Sequence, residues 1–370
     1  MDASRLRGVA SLFVPAVGDS IGDAVSSGKK TADIAVQATR LALGGNIPTG
    51  EPRLLAGGAM HESWAVDLKD GEMDRQLVVR ISPAGRADYE KTQREFEVLR
   101  VAFDRGVRCP EPIACGKFES GEDYLVMTRI AGDSNPRRLV ADDNYEAARK
   151  RLLAQAAEDL TLIHGILPAD VSAAPNMRGP AAAEDPLAYH RRDTEAMYRV
   201  FVLNPHPAIE WAFRWIGRRI EQLDRPQRDP CVVHGDFRIG NIMYDEDGLT
   251  GILDWEGTHI SEPEEDVAWF CTRVWRFGKN DLEAGGIAPR EDWIRAYENT
   301  SGIAIDRERV ATWEVLQNIR WAEITMMQAR AHLDGHAKSH ELAAIGRRTA
   351  ETELEILRLT GVQKRVDGAG

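Results

Sequence analysis

Residues 234–241 read His-Gly-Asp-Phe-Arg-Ile-Gly-Asn, and an apolar run at residues 251–253 then ends in Asp254 and Trp255. Asp236 and Asn241 are five positions apart, and Asp254 follows Asn241 by thirteen positions. Phosphoryl transfer to a hydroxyl needs this set of groups. The first carboxylate accepts the proton of the attacking alcohol, while the asparagine and the second carboxylate hold a metal that neutralises nucleotide phosphates. The stretch therefore predicts a phosphotransferase.

The two motifs together resemble those of the aminoglycoside phosphotransferase family, HGDxxxxN followed by a strand that ends in IDW or LDW. The resemblance covers residues 53–357, and the wording of residues 234–241 and 253–270 is most similar to the bacterial branch that resembles the kinase-like domain associated with acyl-CoA dehydrogenases. It implies an α+β, bilobal protein-kinase-like fold, with a small β-rich N-lobe and a larger, mainly helical C-lobe.

Domain boundaries follow from changes along the chain. Residues 1–48 are expected to form a helical extension of two short helices that separate near residues 26–28. This extension packs on the smaller lobe or serves a homodimer contact. Residues 49–130 are expected to form the nucleotide-binding N-lobe and residues 131–370 the catalytic C-lobe, with a hinge in the Gly- and Pro-containing segment 131–136.

Composition excludes some classes of function. The chain has 370 residues and a formal net charge of −12, without a block of basic residues, so nucleic acid is not an expected partner. Its four cysteines show no CxxC pair and no histidine at zinc-ligand spacing. Residues 1–46 lack an apolar run long enough to span a bilayer, so we expect a cytoplasmic protein without a membrane partner.

Two segments of the N-lobe are candidates for nucleotide binding. A hairpin over residues 54–68 has its loop at 57–63, and Gly57 and Gly58 make this loop either a nucleotide-covering loop or an ordinary turn. Residues 76–82 alternate as a strand whose apolar face is Leu77, Val79 and Ile81. The resemblance implies that the other face, with Val78 and Arg80, points at the nucleotide.

Arg80 stands where the family pattern has a lysine that bridges the phosphates. Arginine keeps the charge, although its planar fork is not equivalent to an ammonium group. A helix is predicted over residues 87–104, and on it Glu95 lies nearer the apolar stripe than Glu97 does. The resemblance implies that an acid of this helix pairs with Arg80, and its position makes Glu95 the expected partner; the alternative is that both acids are solvated.

Strands near residues 113–118 and 124–128 complete the N-lobe. The resemblance implies that the backbone at Thr128 and Ile130 bonds to adenine, and a plain linker is the alternative. Helices are predicted at 144–165, 187–202 and 206–223, with His164 as a core residue.

In the site itself, the resemblance assigns Asp236 as the base, Asn241 and Asp254 as Mg²⁺ ligands, His234 as a buttress and Asp266 as a support of the catalytic loop. Arg238 reaches a phosphate or an anionic substrate, or it braces Asp236 or another acid. Glu256 and His259 are expected on the surface.

The acceptor pocket is expected within residues 269–277 and 318–330, which mix Trp, Met and Arg. An apolar or anionic hydroxyl compound, such as an acyl thioester, fits this composition better than a polycationic antibiotic, although core packing also accounts for many of these residues. The leading hypothesis is an ATP-dependent kinase, with GTP as an alternative donor. The other hypotheses are an aminoglycoside kinase, a protein kinase and a nucleotide-binding regulatory module without turnover.

Overall fold

The computed structural model describes residues 21–45, 50–55, 61–70, 73–181, 183–335 and 340–362. These residues form two lobes, one around a five-stranded antiparallel sheet and one that is mainly helical. The predicted α+β architecture is therefore confirmed.

The smaller lobe consists of one long helix, the five strands of the sheet and a second helix. In chain order these are α1 (Ile21–Ala42), β1 (Arg53–Leu54), β2 (Glu62–Asp70), β3 (Met73–Ser82), α2 (Tyr89–Asp104), β4 (Pro112–Lys117) and β5 (Asp123–Thr128). The strand order across the sheet is β1-β2-β3-β5-β4, with antiparallel neighbours throughout.

Strand β3 has the alternation that its sequence predicts. Leu77, Val79 and Ile81 are fully buried, and the intervening Val78 and Arg80 are half-buried on the other face. The buried face packs against α1 through the apolar side chains Ile34, Ala35 and Ala38. The N-terminal extension thus covers the outer face of the sheet, because β3 offers an apolar surface that must be removed from water.

The predicted division of this extension into two short helices near residues 26–28 is wrong. Helix α1 runs unbroken from Ile21 to Ala42. The low helix propensity of the serines and the glycine at residues 26–28 is a weak signal, and it does not end the helix. Residues 1–20 lie outside the described part of the chain, and the homodimer contact stays a prediction.

Helix α2 carries the predicted partner of Arg80. Asp88 caps it by accepting a hydrogen bond from the Lys91 amide (3.2 Å), which explains why the helix begins two residues later than the sequence predicts. Gly106, with a φ of 85°, follows the end of the helix. Glu95 is buried on the same face as Val98 and Leu99.

The larger lobe is built from nine helices and four short strands in the described residues. These are α3 (Pro136–Ala141), α4 (Glu146–His164), α5 (Pro186–Phe201), α6 (Pro207–Ile220), β6 (Cys231–Val233), β7 (Ile242–Asp245), β8 (Gly248–Ile252), β9 (His259–Ser261), α7 (Pro263–Cys271), α8 (Arg290–Ser301), α9 (Arg307–Leu333), α10 (His340–Ile345) and α11 (Thr349–Leu359). Strand β6 pairs with β9, and β7 pairs with β8, both antiparallel. Helix α9 lies along α5, α6, α7 and α11.

The connection between the lobes is anchored on the β7–β8 hairpin. The backbone groups of Asp133 and Tyr244 exchange two hydrogen bonds of 2.8 and 2.9 Å. Gly132 has a φ of 122°, and a side chain there would overlap the Tyr244 carbonyl group. The segment predicted as a hinge therefore requires glycine at position 132, where its backbone approaches the Tyr244 carbonyl.

The described residues bear on the expectations about membrane spans and cysteines. No helix among them is both long and apolar enough to cross a membrane. The four cysteines are free thiols, and Cys109, Cys231 and Cys271 are buried, so these three side chains contribute to packing.

Candidate active site

The catalytic loop, residues 234–241, follows strand β6 and turns sharply at Gly235. The φ of Gly235 is 75°, and a Cβ atom there would overlap the Gly257 carbonyl oxygen. A left-handed backbone without a side chain is therefore required at this position. The turn directs Asp236 away from the β6–β9 pair, and the Asp236 side chain is 24% exposed.

Asp266, from the first turn of α7, fixes this loop. Its carboxylate accepts hydrogen bonds from the backbone amides of His234 (2.7 Å) and Gly235 (2.9 Å). It also contacts His164 Nε2 at 3.2 Å, and His164 Nδ1 lies 2.8 Å from the Tyr297 hydroxyl. His164 is thus a core residue, as expected, with two polar partners, and it orients Asp266.

His234 links the catalytic loop to the end of strand β8. Its Nε2 donates to the Leu253 carbonyl (3.1 Å), and its Nδ1 accepts from the Asp236 amide (3.2 Å). Burial lowers the pKa of His234, although Asp266 and Asp236 oppose this shift. A neutral imidazole with one donor and one acceptor satisfies both contacts. His234 therefore links the backbone of Asp236 to that of Leu253, the residue before Asp254.

Asp236 accepts hydrogen bonds from three side chains. Arg238 Nε lies 3.1 Å from both carboxylate oxygens, Asn241 Nδ2 lies 2.6 Å from Oδ2, and Trp269 Nε1 lies 2.6 Å from Oδ1. Charge-assisted bonds of this kind are stronger than neutral ones. The carboxylate is therefore held in one orientation, and it is partly exposed.

Arg238 braces Asp236, one of the alternatives that the sequence left open. Its guanidinium also lies over the Trp275 ring, 4.5 Å from the ring centroid, as cation–π contacts require. Arg238 Nη1 lies close to Gly240, where a Cβ atom would overlap it.

Asn241 and Asp254 form the candidate metal site. The Asn241 amide nitrogen donates to the Asp236 carboxylate and to its backbone carbonyl, so the amide oxygen is the atom left to bind a cation. The Leu253 amide donates to the Asn241 carbonyl (2.8 Å), which places the loop beside the end of β8. Asp254 adopts a left-handed backbone (φ 68°, ψ 61°), a conformation that aspartate tolerates better than most residues.

The surroundings of Asp254 are acidic. Its pKa is raised to about 7, first by burial of the carboxyl group in the cleft and then by Glu256, Asp236 and Glu95, while Arg80 opposes the shift. The residue as a whole is exposed, so water screens part of this effect. Negative charge at Asp254 is thus unfavourable without a cation, and two oxygen ligands suit Mg²⁺.

The expected pair of Arg80 and Glu95 is present. Arg80 Nη1 lies 2.7 Å from Glu95 Oε1, and Nη2 bonds the other carboxylate oxygen. Burial opposes the charge of Arg80, but Glu95, with Glu256 and Asp254, raises its pKa above the ordinary value. Val78 lies on the same face of β3. The contact of Arg80 and Val78 with a nucleotide stays a prediction.

The expected surface position of Glu256 is wrong, because its side chain contacts residues of the smaller lobe. Its Oε2 lies 3.0 Å from Lys91 Nζ of α2 and 3.1 Å from Nε2 of His61, the residue before β2. Burial opposes ionisation, yet His61, Lys91 and Arg80 lower the pKa of Glu256 below its usual range. The short turn Trp255–Gly257 directs this side chain toward the smaller lobe, a placement that sequence periodicity does not encode.

The expected surface position of His259 is also wrong, because only 5% of His259 is exposed. Strand β9 pairs with β6 so that His259 lies opposite Val233, directly behind the catalytic loop.

The predicted adenine contacts are partly occupied within the protein. The Thr128 amide donates to the Glu111 carbonyl (2.9 Å), and the Thr128 hydroxyl accepts from the Glu111 amide (2.8 Å). Ile130 packs on Gly251, where a side chain would overlap it. The amide of Thr128 is thus not a free donor, which leaves the backbone of Ile130. Gly57 and Gly58 lie outside the described residues.

A cavity of about 400 Å³ lies beyond Trp275, among the C-terminal segments in which the sequence predicts the acceptor pocket. Trp275 packs against Trp269, the donor to Asp236, and against Trp321 in the cavity wall, with ring centroids 5.3 and 5.0 Å apart. The charged residues of the wall are Arg137, Arg273, Arg348, Glu351 and Glu355. Arg276, which the sequence placed in this region, instead forms a buried ion pair with Glu314 (3.0 Å).

Sequence reasoning missed Trp269 as a partner of Asp236. Asp266 and Trp269 are three positions apart on α7 and so share a face, and Asp266 was already expected to support the loop. That spacing was the available signal. The contact of Glu256 with His61, 195 positions away, had no comparable signal.

Comparison with known proteins agrees with the geometry. The model of the phosphotransferase enzyme family matches residues 51–313. The chain is 25% identical over 320 residues to acyl-CoA dehydrogenase family member 11 of Gallus gallus, an alignment that covers 79% of this chain and 39% of that protein. The chain therefore spans about two fifths of the length of this curated relative.

Solved structures show the same fold. A Ralstonia eutropha protein classed with the aminoglycoside phosphotransferases is 17% identical, with a TM-score of 0.68 and coverage of 89% of this chain and 98% of that one. Aminoglycoside phosphotransferase APH(4)-Ia, in a ternary complex with AMP-PNP and hygromycin B, has a TM-score of 0.58 at 15% identity, with coverage of 88% and 98%. The predicted kinase-like fold is confirmed.

Proposed function

Because the chain belongs to the phosphotransferase enzyme family, we propose that it is an active kinase that transfers the γ-phosphoryl group of ATP to a hydroxyl of a small metabolite. One observation carries this proposal: Asn241 donates its amide to the Asp236 carboxylate, so base and metal ligand are aligned in one loop. GTP is the alternative donor.

In the proposed reaction, Asp236 accepts the proton of the acceptor hydroxyl while Trp269 and Arg238 hold its carboxylate. The transition state is loose, so alignment of the hydroxyl with the phosphoryl group contributes more than the strength of the base. Arg80, held by Glu95, supplies positive charge on the nucleotide side of the cleft. When bound, Mg²⁺ held by the oxygens of Asn241 and Asp254 would neutralise phosphate charge.

The acceptor is proposed to be an apolar or anionic hydroxyl compound rather than an aminoglycoside. Three arginines and two glutamates line the cavity next to Trp275, and Phe277 and Trp321 add apolar surface. Arg273 pairs with Glu355 (2.9 Å) and Arg348 with Glu351 (3.2 Å), so the cationic excess is carried by Arg137. A polycation would meet repulsion here, whereas a hydroxy acid or its thioester would not.

The deciding experiment measures phosphorylation of a panel of hydroxyl compounds with ATP and with GTP. The panel contains short and long hydroxy acids, their thioesters, uncharged sugars and aminoglycosides, and products are identified by the mass gain of one phosphoryl group. We expect turnover of anionic or apolar members, and a decrease of about 10²–10⁴-fold in Asp236→Asn with little change in nucleotide affinity.

Asp245→Asn is the matched control, because Asp245 is an exposed aspartate on β7, four positions after Asn241. It should retain the turnover of the native chain. Nucleotide binding without phosphorylation of any acceptor would favour the regulatory module instead, and turnover confined to aminoglycosides would overturn the proposed acceptor class.

A further inference from the structure

Three side chains from separate elements converge behind the catalytic loop, namely His190 of α5, His259 of β9 and Glu265 of α7. One nitrogen or oxygen atom of each lies within 4.8 Å of those of the other two. We propose that these residues form a Zn²⁺ site, distinct from the magnesium site proposed at Asn241 and Asp254.

The hydrogen bonds of His259 leave a place for a cation. Its Nδ1 lies 2.8 Å from the Gly257 carbonyl, which can only accept, so Nδ1 carries the hydrogen. In the neutral ring, Nε2 then presents a lone pair to Glu265 Oε2, 3.1 Å away. Two acceptors at this distance need a proton or a metal ion between them. A backbone carbonyl that fixes the tautomer in this way is the usual outer partner of a metal-bound histidine.

His190 supplies the third ligand. Its Nε2 lies 3.8 Å from the same oxygen of Glu265, and the two imidazole centroids are 4.7 Å apart. The other contact of this nitrogen, with the Ile260 carbonyl, is long at 3.4 Å and would be replaced by a metal bond. The rings of Tyr189 and Trp313 pack against His190 and limit its rotation.

The distances suit zinc. Bonds of about 2.0–2.2 Å to nitrogen and oxygen in a tetrahedron place neighbouring ligand atoms about 3.3 Å apart. The separations of 3.1 and 3.8 Å from Glu265 Oε2 bracket this value. Two histidines and one glutamate are also a ligand set that zinc takes in proteins, with water in the fourth position.

The charge around the cluster leaves room for a cation. Arg320 Nη1 lies 3.3 Å from Oε1 of Glu265, so Oε2, the oxygen that both histidines approach, remains available to a metal ion.

Zinc at this position would fasten α5 to the structure that holds the catalytic loop. A Cβ atom at Gly235 would lie 2.9 Å from His259 Nδ1, and Glu265 precedes Asp266, whose carboxylate holds the loop amides. The site would therefore act on stability and on loop order, without contact with the reacting groups.

The test titrates the metal-free full chain with Zn²⁺ by calorimetry and follows its thermal unfolding. We expect one Zn²⁺ per chain and a Tm higher by about 3 °C or more. His190→Gln should weaken zinc binding at least tenfold and remove the Tm shift. Two controls should bind zinc as the native chain does: His206→Gln, a half-exposed histidine 3.3 Å from Glu353, and Asp254→Asn at the other metal site.

X-ray absorption at the zinc edge gives an answer that does not depend on how well a variant folds. The native chain loaded with one equivalent of Zn²⁺ should show two imidazole ligands and four-coordination. Absence of zinc binding, binding in His190→Gln equal to that of the native chain, or a spectrum without imidazole ligands would each overturn the proposal. A proton would then bridge His259 and Glu265 as a simple ion pair.

Discussion

The two carboxylates of the candidate site, Asp236 and Asp254, lie in opposite surroundings. Asp236 accepts hydrogen bonds from Arg238, Asn241 and Trp269. Asp254 accepts none from the residues that the structure describes, and three of the four charged groups that most affect its pKa are acids.

This difference indicates that the two carboxylates depend on different partners, Asp236 on the protein and Asp254 on a cation. The protein supplies every partner that Asp236 needs, so its orientation exists before any ligand arrives. Asp254 has no hydrogen-bond donor among the described residues, and Arg80 does not prevent the rise of its pKa, so a cation from outside would stabilise its charge. The left-handed backbone of Asp254 agrees with this, because strained conformations at functional sites are retained where the surrounding structure imposes them.

The largest effect expected from this comparison concerns Asp254. Asp254→Asn removes a charged metal ligand, so turnover should fall by about 10³-fold or more and the Mg²⁺ concentration for half-maximal rate should rise. Asp236→Asn should lower turnover to a similar extent without a change in that Mg²⁺ concentration. Rate against Mg²⁺ concentration measures both. Equal Mg²⁺ dependence in the two variants would abolish the distinction between the carboxylates.

The second largest effect is expected for Gly235→Ala, which tests whether the turn before Asp236 is rigid. Gly235→Ala places a side chain at a φ of 75° and against the Gly257 carbonyl oxygen, so unfolding should become easier by about 3 kcal/mol. Chemical denaturation measures this loss.

Gly257→Ala is the matched control, because the nearest atom to its new Cβ would lie 3.5 Å away and its φ is not left-handed. This variant should have nearly native stability. Equal losses in both variants would show that the region as a whole, rather than the turn at Gly235, is sensitive to substitution.

A smaller effect is expected for Trp269, which donates a hydrogen bond to the Asp236 carboxylate. Trp269→Phe keeps the aromatic packing but removes the indole hydrogen bond, so kcat should fall about tenfold while KM for nucleotide stays within about twofold. Trp275→Phe is the control, since Trp275 contacts Arg238 but not Asp236. If the two variants lose activity equally, packing of the tryptophans matters and the hydrogen bond does not.

The smallest effect is expected at Arg80. Arg80→Lys restores the residue that the family pattern has, keeps the charge and loses one of two bonds to Glu95, so nucleotide affinity should change by about threefold or less. Arg80→Met should weaken nucleotide binding by about tenfold or more. Calorimetry with ATP and Mg²⁺ distinguishes the two. A large loss in the lysine variant would show that bidentate geometry is required as well as charge.

Much of the architecture was predictable because it depends on local spacing. Alternation in β3 identified its buried face, and helical spacing in α2 selected Glu95 over Glu97 as the partner of Arg80. The unbroken helix α1 was not predictable in the same way. Its serines and glycine favour a break, but the helix continues through them, because helix propensity is a weak signal beside the rest of a long helix.

For the candidate site, the sequence located the loop and its supporting Asp266, but it misjudged Glu256 and His259. Both residues have polar side chains, and polar residues are mostly exposed. Without knowledge of their neighbours in space, the sequence therefore predicts that they lie on the surface. The pairing of β6 with β9 buries His259, and the contact between the lobes engages Glu256.

The sequence by itself determined the family, most helices and strands between residues 54 and 223, and the loop that contains Asp236 and Asn241, because each depends on residues a few positions apart. Only the tertiary structure decided which side chains hold Asp236, why Asp254 has no donor among the described residues, and how His190, His259 and Glu265 meet. These arrangements join residues that are far apart in the chain, and their free energies arise from burial and charge, which exist only after the chain has folded.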